Sequence, residues 1–116
     1  MTEWTPVCRL DDIQRERGVC ALVADGAVAV VRTFDDELYA MSQRDPFSGA
    51  MVLSRGIVGS RVIEGETVPV LQSPMFKQAF DLTTGVCLDD PAVTVPVHPV
   101  RLRDGLVEVG TVSVDG

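Results

Sequence analysis

Short apolar runs separated by turn-forming dipeptides dominate the hydrophobic pattern of the chain. The first half predicts an opening strand and a three-stranded meander, at residues 4–8, 19–23, 28–33 and 38–41. The turns of the meander are Asp25-Gly26 and Asp35-Asp36. The second half predicts a hairpin that turns at Gly65, two short strands at 80–82 and 86–88, and a closing hairpin. That hairpin turns at Asp104-Gly105 between alternating residues, which is the strongest hairpin signal in the chain.

This pattern predicts an all-β fold. No segment carries an apolar stripe of helical period, and residues 10–16 offer at most one short helical turn. The glycine-punctuated segment 52–60 is predicted to be irregular, and Pro96 and Pro99 restrict the stretch around them to edge or irregular structure. About nine to ten short antiparallel strands, in one domain spanning 1–116, indicate a sandwich or small barrel.

Composition and charge exclude several classes of function. The net charge is −7 and there is no basic stripe, so nucleic-acid binding is not expected. The acidic N-terminal segment is unlike a signal peptide, and no apolar run reaches membrane-spanning length. Cys8, Cys20 and Cys87 lack metal-site spacing and indicate reduced thiols in a cytoplasmic protein, although a Cys8–Cys20 crosslink remains an alternative.

The chain offers little conventional catalytic chemistry. His98 is the one histidine, and no serine stands in a nucleophile motif, so a structural or solvated His98 is the simpler interpretation. Metal binding by His98 with Asp89, Asp90 or Cys87 is the alternative, at a spacing that matches no known cluster. No glycine-rich phosphate-binding motif occurs in a strand–loop–helix context.

Two segments carry a family resemblance. AMSQRDPFSGAMVL (40–53) and VLQSPMFKQAFDLTTGVC (70–87) resemble the two cluster-binding loops of Rieske iron–sulfur domains, which read C-P-H-x-G-A and C-P-x-H-x-x-x-F-D-L-x-T-G. The ending PVHPVRLRDGLVEV (96–109) is similar to that family's closing hairpin. The resemblance covers nearly the whole chain and implies a Rieske-like fold.

The departures from the Rieske motif fall on the metal ligands. Rieske centres use two cysteines on one iron and two histidines on the other. Here the cysteine positions are Asp45 and Ser73, and the histidine positions are Phe47 and Phe76. Because phenylalanine has no lone pair to donate, the second iron would lose both protein ligands. We therefore expect neither a cluster nor another cofactor in this chain.

Finer motifs narrow the resemblance. D-P-F at 45–47, L-S-R-G at 53–56 and S-P-x-x-K-Q at 73–78 are similar to the small subunits of assimilatory NAD(P)H-dependent nitrite reductases. That resemblance implies association with a large subunit that carries FAD, sirohaem and a [4Fe–4S] cluster and reduces nitrite to ammonia in nitrate assimilation. It implies no catalytic centre in this chain, and it leaves self-association open.

Two interpretations of the altered loops remain at this point. Phe47 and Phe76 could pack into the space of the missing cluster. Alternatively, an exposed patch at the loop tips could dock on the large subunit. The residues of that patch would be Pro46, Phe47, Met75, Phe76 and Lys77.

Other roles in these loops are also open. Asp45 could cap backbone N–H groups of its own loop, or pair with Arg55 or Lys77. A free-standing Rieske-like interaction domain without redox activity and an electron carrier with its own iron centre are the alternative functions of the whole chain.

Overall fold

The computed structural model describes residues 2–24, 26–75 and 77–112. Within these ranges, ten strands and two 3-10 turns follow one another along the chain. The strands are β1 (Thr2–Arg9), β2 (Arg17–Val23), β3 (Gly26–Arg32), β4 (Leu38–Ser42), β5 (Ile57–Ile63), β6 (Glu66–Gln72), β7 (Ala79–Asp81), β8 (Val97–His98), β9 (Val100–Arg103) and β10 (Leu106–Val112). The 3-10 turns are Leu10–Asp12 and Leu53–Arg55.

The strands form three antiparallel sheets, which confirms the all-β prediction. Their orders are β1-β10-β9, β2-β3-β4-β8 and β5-β6-β7. Strand β3 lies inside the four-stranded sheet and is buried on both faces. Ala29 and Val31 belong to one core cluster, whereas Val28 and Val30 belong to the other. This double burial explains why β3 is a continuous apolar run and not an alternating one.

Each core cluster joins the four-stranded sheet to one of its neighbours. The larger cluster packs β3 and β4 against β5, β6 and β7, and it contains Met41, Leu71 and Phe80. The smaller cluster packs β3 against β10 through side chains that include Val107 and Val109. Apolar burial of this kind contributes about 25 cal/mol per Å² and is the main stabilising term of the fold.

Two of the predicted hairpins are confirmed at the level of turn geometry. β9 and β10 are joined by Asp104 and Gly105, with φ of 53° and 81°. β5 and β6 are joined by Glu64 and Gly65, with φ of 51° and 82°. Positive φ at both central residues is the geometry that two-residue hairpin loops favour. The predicted turn residue Asp25 lies outside the described residues, although Val23 does pair with Gly26.

Two local predictions are wrong. The segment predicted to be irregular contains the 3-10 turn Leu53–Arg55, a second helical turn where at most one was expected, and then β5. Glycine does not break β5, because Gly56 lets it start close to β6: an added Cβ there would lie 2.3 Å from the Gln72 carbonyl oxygen. Residues 86–88, predicted as a strand, instead form isolated bridges from Val86 and Cys87.

The cysteines are all unpaired, and they differ in burial. Cys87 is fully buried in the larger cluster, Cys8 is half-buried and Cys20 is exposed. Burial, followed by the nearby charge of Asp12, raises the pKa of the Cys8 thiol. The Cys8–Cys20 crosslink, the alternative left open by the sequence, is not formed in the structure. Among the described residues, no helix is both long enough and apolar enough to cross a membrane.

Candidate functional site

The two loops with the Rieske-like frame follow strands of two facing sheets. Loop 1 (residues 45–50) follows β4, and loop 2 (residues 73–78) follows β6. In loop 1 the Asp45 N–H donates to the Ala50 carbonyl at 2.8 Å, and the Gly49 N–H donates to the Asp45 carbonyl at 2.7 Å. The equivalent bonds of loop 2 join Ser73 to Gln78 at 2.9 Å and Lys77 to Ser73 at 3.1 Å. Both loops therefore fold by the same backbone hydrogen-bond pattern.

The first side chain of each loop completes this pattern. Asp45 Oδ1 accepts from the N–H of Phe47 at 2.8 Å and from that of Ser48 at 3.4 Å. In loop 2, Ser73 Oγ accepts from the Met75 N–H at 3.2 Å. The prediction that Asp45 caps its own loop thus agrees with the structure. The suggested pairing of Asp45 with Arg55 or Lys77 is not among the ion pairs of the described residues.

A buried hydrogen bond joins the two loops at the former cysteine positions. The Ser73 hydroxyl donates to Asp45 Oδ2, and both residues are withdrawn from solvent, at 0% and 1% exposure for Asp45 and Ser73. In a Rieske centre the two cysteines at these positions would meet on one iron. Here a hydroxyl–carboxylate bond makes the connection directly.

This donor set does not suit an iron–sulfur cluster. One carboxyl oxygen of Asp45 and the Ser73 hydroxyl already bond to each other, and a Rieske cluster uses thiolates on one iron and imidazoles on the other. Phe47 and Phe76 offer no donor atom at the histidine positions. Within the described ranges, no group of three or more His, Cys, Asp or Glu side chains is placed to hold a metal ion. The residues at the four ligand positions therefore do not fit a Rieske cluster.

Phe47 packs inward and not toward solvent. Its ring lies 6.3 Å from that of Phe80, tilted by 46°, and it contacts the larger core cluster. Aromatic pairs of this geometry add about 0.5–1.5 kcal/mol beyond the area that they bury. Phe76, the other residue expected to fill the space of the cluster, lies outside the described residues. The observed aromatic partner of Phe47 is Phe80, and Phe47 is half-buried.

The other candidate contact residues are accessible. Pro46 and Lys77 are exposed, and Met75 is 49% exposed. Lys77 has a φ of 62°, which makes it the counterpart of Gly49 in loop 1, with a φ of 77°. The described tip therefore presents a proline, a methionine and a lysine to solvent above a buried polar bond.

Sequence reasoning missed a buried amide beneath loop 1. Gln43 is 4% exposed; its Nε2 donates to Ser54 Oγ at 2.8 Å, and its Oε1 accepts from the Ser54 N–H at 2.8 Å. A further bond from Nε2 reaches the Met51 carbonyl at 3.1 Å. These bonds fix the return of the chain from loop 1 into the turn Leu53–Arg55. The only local signal was a glutamine at the end of a strand, which is too common to single out.

A third loop repeats the pattern without belonging to the pair. In loop 3 (residues 81–86), the Asp81 N–H donates to Val86 at 2.9 Å and the Gly85 N–H donates back to Asp81 at 2.7 Å. Asp81 Oδ1 accepts from the Thr83 N–H at 2.8 Å and from its hydroxyl at 2.6 Å. The backbone pattern is therefore a folding device of this protein, and only the bond between loops 1 and 2 is specific to the site.

Among the described residues of the site, Ser73 and His98 are not arranged as a catalytic pair. The Ser73 hydroxyl is buried and donates to Asp45, so no solvent-borne substrate reaches it. His98, the one histidine, lies in β8 and pairs with Ala40 of β4. A nucleophile needs an accessible position as well as an adjacent base, and Ser73, although bonded to Asp45, is buried.

Comparison with known proteins agrees with this geometry. Residues 3–110 match the family described as the Rieske-like [2Fe-2S] domain. The nitrite reductase (NADH) small subunit of Escherichia coli K12 is 39% identical over 110 residues, which cover 94% of this chain and 98% of the relative. The chain belongs to the nitrite reductase small-subunit family. A crystal structure described as an NADH-dependent nitrite reductase small subunit from Mycobacterium tuberculosis superimposes with a TM-score of 0.89 at 46% identity, covering 98% of this chain and 99% of that one.

One relative links the family to a longer protein. The nitrite reductase [NAD(P)H] large subunit of Klebsiella oxytoca is 36% identical over 107 residues, covering 92% of this chain but only 11% of that protein. A domain of this family therefore occurs both as a separate small subunit and as part of a large-subunit chain.

Proposed function

We propose that this chain is a cluster-free accessory subunit of an NAD(P)H-dependent nitrite reductase and acts by associating with the large subunit. The observation that carries the proposal is the pair of Rieske-like loops held by the Asp45–Ser73 bond. A rigid loop pair without metal ligands can position a surface but cannot transfer electrons. Membership of the small-subunit family and the Klebsiella oxytoca relative support the choice of partner.

The reaction itself belongs to the partner in this proposal. The large subunit would carry FAD, sirohaem and a [4Fe–4S] cluster and would pass electrons from the nicotinamide to nitrite, giving ammonia. This chain would contribute contacts and no redox centre. We place the complex in the cytoplasm, where the unpaired thiols of Cys8, Cys20 and Cys87 would remain reduced.

Reconstitution tests the proposed role. The large subunit is expressed with and without this chain, and nitrite-dependent NAD(P)H oxidation is measured together with co-purification. We expect the two chains to co-purify and the complex to be more active, or longer-lived, than the large subunit alone. Two chains that do not associate at micromolar concentration would contradict the proposal.

The tip of loops 1 and 2 is the proposed docking surface, formed by Pro46, Phe47, Met75, Phe76 and Lys77. The centre of a protein interface is typically more apolar than its polar rim, and burying a new charge there is costly. We expect Met75→Asp to weaken binding to the large subunit by about tenfold or more, and Phe76→Asp to act in the same direction.

A matched control separates docking from general surface effects. Leu102 in β9 is 48% exposed, against 49% for Met75, and lies in a different sheet. Leu102→Asp makes the same chemical change away from the loops, so its affinity should stay within about twofold of the wild type. Equal losses for Met75→Asp and Leu102→Asp would reject the loop tip as the docking surface.

A further inference from the structure

A second surface feature lies away from the loop tips. A cleft of about 500 Å³ opens between the β3–β4 turn and the β5–β6 hairpin. Tyr39, Val58 and Pro69 contribute apolar surface to its walls. Tyr39 lies near the start of β4, whereas loop 1 follows the end of that strand. The cleft and the loop tip are therefore at opposite ends of β4.

The charged residues that line this cleft are all acidic. They are Glu16, Asp35 and Glu37. Glu37 accepts a bond from the Tyr39 hydroxyl at 2.9 Å. In the part of the chain that the structure describes, the carboxylates of Glu16 and Asp35 have no ion-pair partner. The charged side chains of the lining are therefore negative, and two of them are free to pair with a group that enters the cleft.

The neighbouring carboxylate of Asp36, unlike those of Glu16 and Asp35, is paired with arginines. Arg15 and Arg32 each approach an oxygen of Asp36 at 2.8 Å, and these hydrogen bonds lower its pKa to about 2. These two ion pairs hold the β3–β4 turn, and they engage both Arg15 and Arg32. Glu16 and Asp35 remain without such a partner.

An exposed aromatic ring stands beside these acids. Phe34 is 70% exposed at the tip of a turn in which the Asp36 N–H donates to the Thr33 carbonyl at 3.1 Å. This position requires turn chemistry and not an aromatic residue, so the fold does not explain Phe34. An aromatic face next to carboxylates is a suitable receptor for a guanidinium, which stacks on the ring and donates to the acids.

We propose that the cleft binds an arginine side chain of the large subunit, as a second contact in addition to the loop tip. The proposal rests on the proposed function for the identity of the partner. Charge complementarity favours a basic group, and the aromatic ring favours arginine over lysine. The partner would then contact both ends of β4.

Neutralising the two unpaired carboxylates tests this contact. Glu16→Gln with Asp35→Asn keeps size and hydrogen bonding and removes two charges at exposed positions. We expect binding to the large subunit to weaken about tenfold at low ionic strength, with a shallower salt dependence. Phe34→Ser removes the ring alone, and we expect about fivefold weaker binding, in line with a cation–π contact.

The control removes the same charge elsewhere. Glu3 and Asp11 are exposed residues outside the cleft lining, so Glu3→Gln with Asp11→Asn should change affinity by less than about twofold. Wild-type affinity in both the double cleft variant and Phe34→Ser would overturn this inference alone. Absence of binding by the wild type would instead contradict the proposed function, and the occupant named here with it.

Discussion

Loops 1, 2 and 3 share one backbone hydrogen-bond pattern. The first side chain of loop 3, however, has a different role from the first side chains of loops 1 and 2. In all three, residue i bonds to residue i+5 and residue i+4 bonds back to residue i. Asp45 of loop 1 reaches across to Ser73 of loop 2, whereas Asp81 of loop 3 closes only its own turn through Thr83. The shared backbone therefore needs no metal, and the bond across the pair is a separate feature that holds two loops together.

This difference shows that the loop backbone and the bond between loops 1 and 2 have separate roles. Loop 3 has no ligand position in the Rieske frame, yet it folds by the same hydrogen bonds as its neighbours. Loops 1 and 2 retain a connection at the positions where a metal would have joined them. We infer that association with a partner depends on the relative placement of loops 1 and 2, which the Asp45–Ser73 bond maintains.

Replacing the glycine at position i+4 of loop 1 or loop 3 by alanine gives the largest expected effect on stability. The size of that effect should differ between the two loops. An added Cβ at Gly85, with φ of 80°, would lie 1.9 Å from the Val95 carbonyl oxygen. We expect Gly85→Ala to lower the free energy of unfolding by about 4 kcal/mol. The Cβ at Gly49 would meet nothing closer than 3.6 Å, so Gly49→Ala should cost only the left-handed conformation, about 1 kcal/mol.

Urea unfolding of the two variants measures this contrast. The wild type serves as the reference, and equal m-values confirm that only stability has changed. Equal losses at the two glycines would show that loop 3 has room to move away from Val95, contrary to its tight packing here.

Removing the aspartate that begins loop 1 or loop 3 tests whether the bond between loops 1 and 2 contributes to stability. Asp45→Ala leaves the Ser73 hydroxyl and the Phe47 N–H buried without their acceptor, so we expect a loss of about 3 kcal/mol. Asp81→Ala removes the acceptor of the Thr83 N–H at a half-buried turn, where water can take its place. We expect the free energy of unfolding to fall by about 1 kcal/mol. Chemical denaturation gives both values, and a loss at Asp81 as large as that at Asp45 would remove the distinction between the loops.

A double-mutant cycle measures the bond itself. Ser73→Ala alone should cost about 2 kcal/mol, because Asp45 keeps its backbone donors but loses the hydroxyl. If the two side chains act as a unit, the double variant with Asp45→Ala is less destabilised than the sum of the single variants by about 1–2 kcal/mol. Strict additivity would mean that the bond across the loops contributes nothing on its own.

The exposed carboxylate Asp36 gives the smallest expected effect and a reference for the buried Asp45. Hydrogen bonds from Arg15 and Arg32 lower the pKa of Asp36 from 3.8 to about 2. A lowered pKa in the folded state stabilises the protein above the unfolded value, and that contribution is lost as the pH falls through the folded value. Asp36→Asn should therefore be less stable than the wild type near neutral pH, and the difference should disappear between about pH 4 and pH 2. Unfolding curves across this range measure it, and a difference that persists unchanged at pH 2 would contradict the assignment.

The fold was predictable where local chemistry decides it. The Asp104-Gly105 hairpin follows from a dipeptide that tolerates positive φ between alternating residues, and both central residues do have positive φ. The hairpin of β5 and β6 was predicted, but the start of β5, at residues 57–60, was missed because the glycines there were taken as breaks. Gly56 is required by the close approach of Gln72, and Gly59 has no atom within 4 Å of an added Cβ. Such contacts depend on the packed structure and are not visible along the chain.

The site was predictable in its residues but not in its bonds. Comparison with the Rieske frame selected Asp45 and Ser73 as altered ligand positions, and turn chemistry anticipated the capping by Asp45. The bond between them joins residues 28 positions apart, and no local pattern encodes it. Phe47 meets Phe80 for the same reason: the partner comes from a strand of the opposite sheet.

The pairing of the first and last strands has a consequence for how this domain can be built into other chains. β1 and β10 run antiparallel side by side, with Thr2 opposite Val112, so the first and last described residues lie next to each other at one end of the same sheet. Adjacent entry and exit points let a polypeptide pass into such a unit and out again without stretching or crossing it. The same scaffold can therefore be supplied as a separate gene product or carried as a module within a longer reductase chain, with no redesign of its interior.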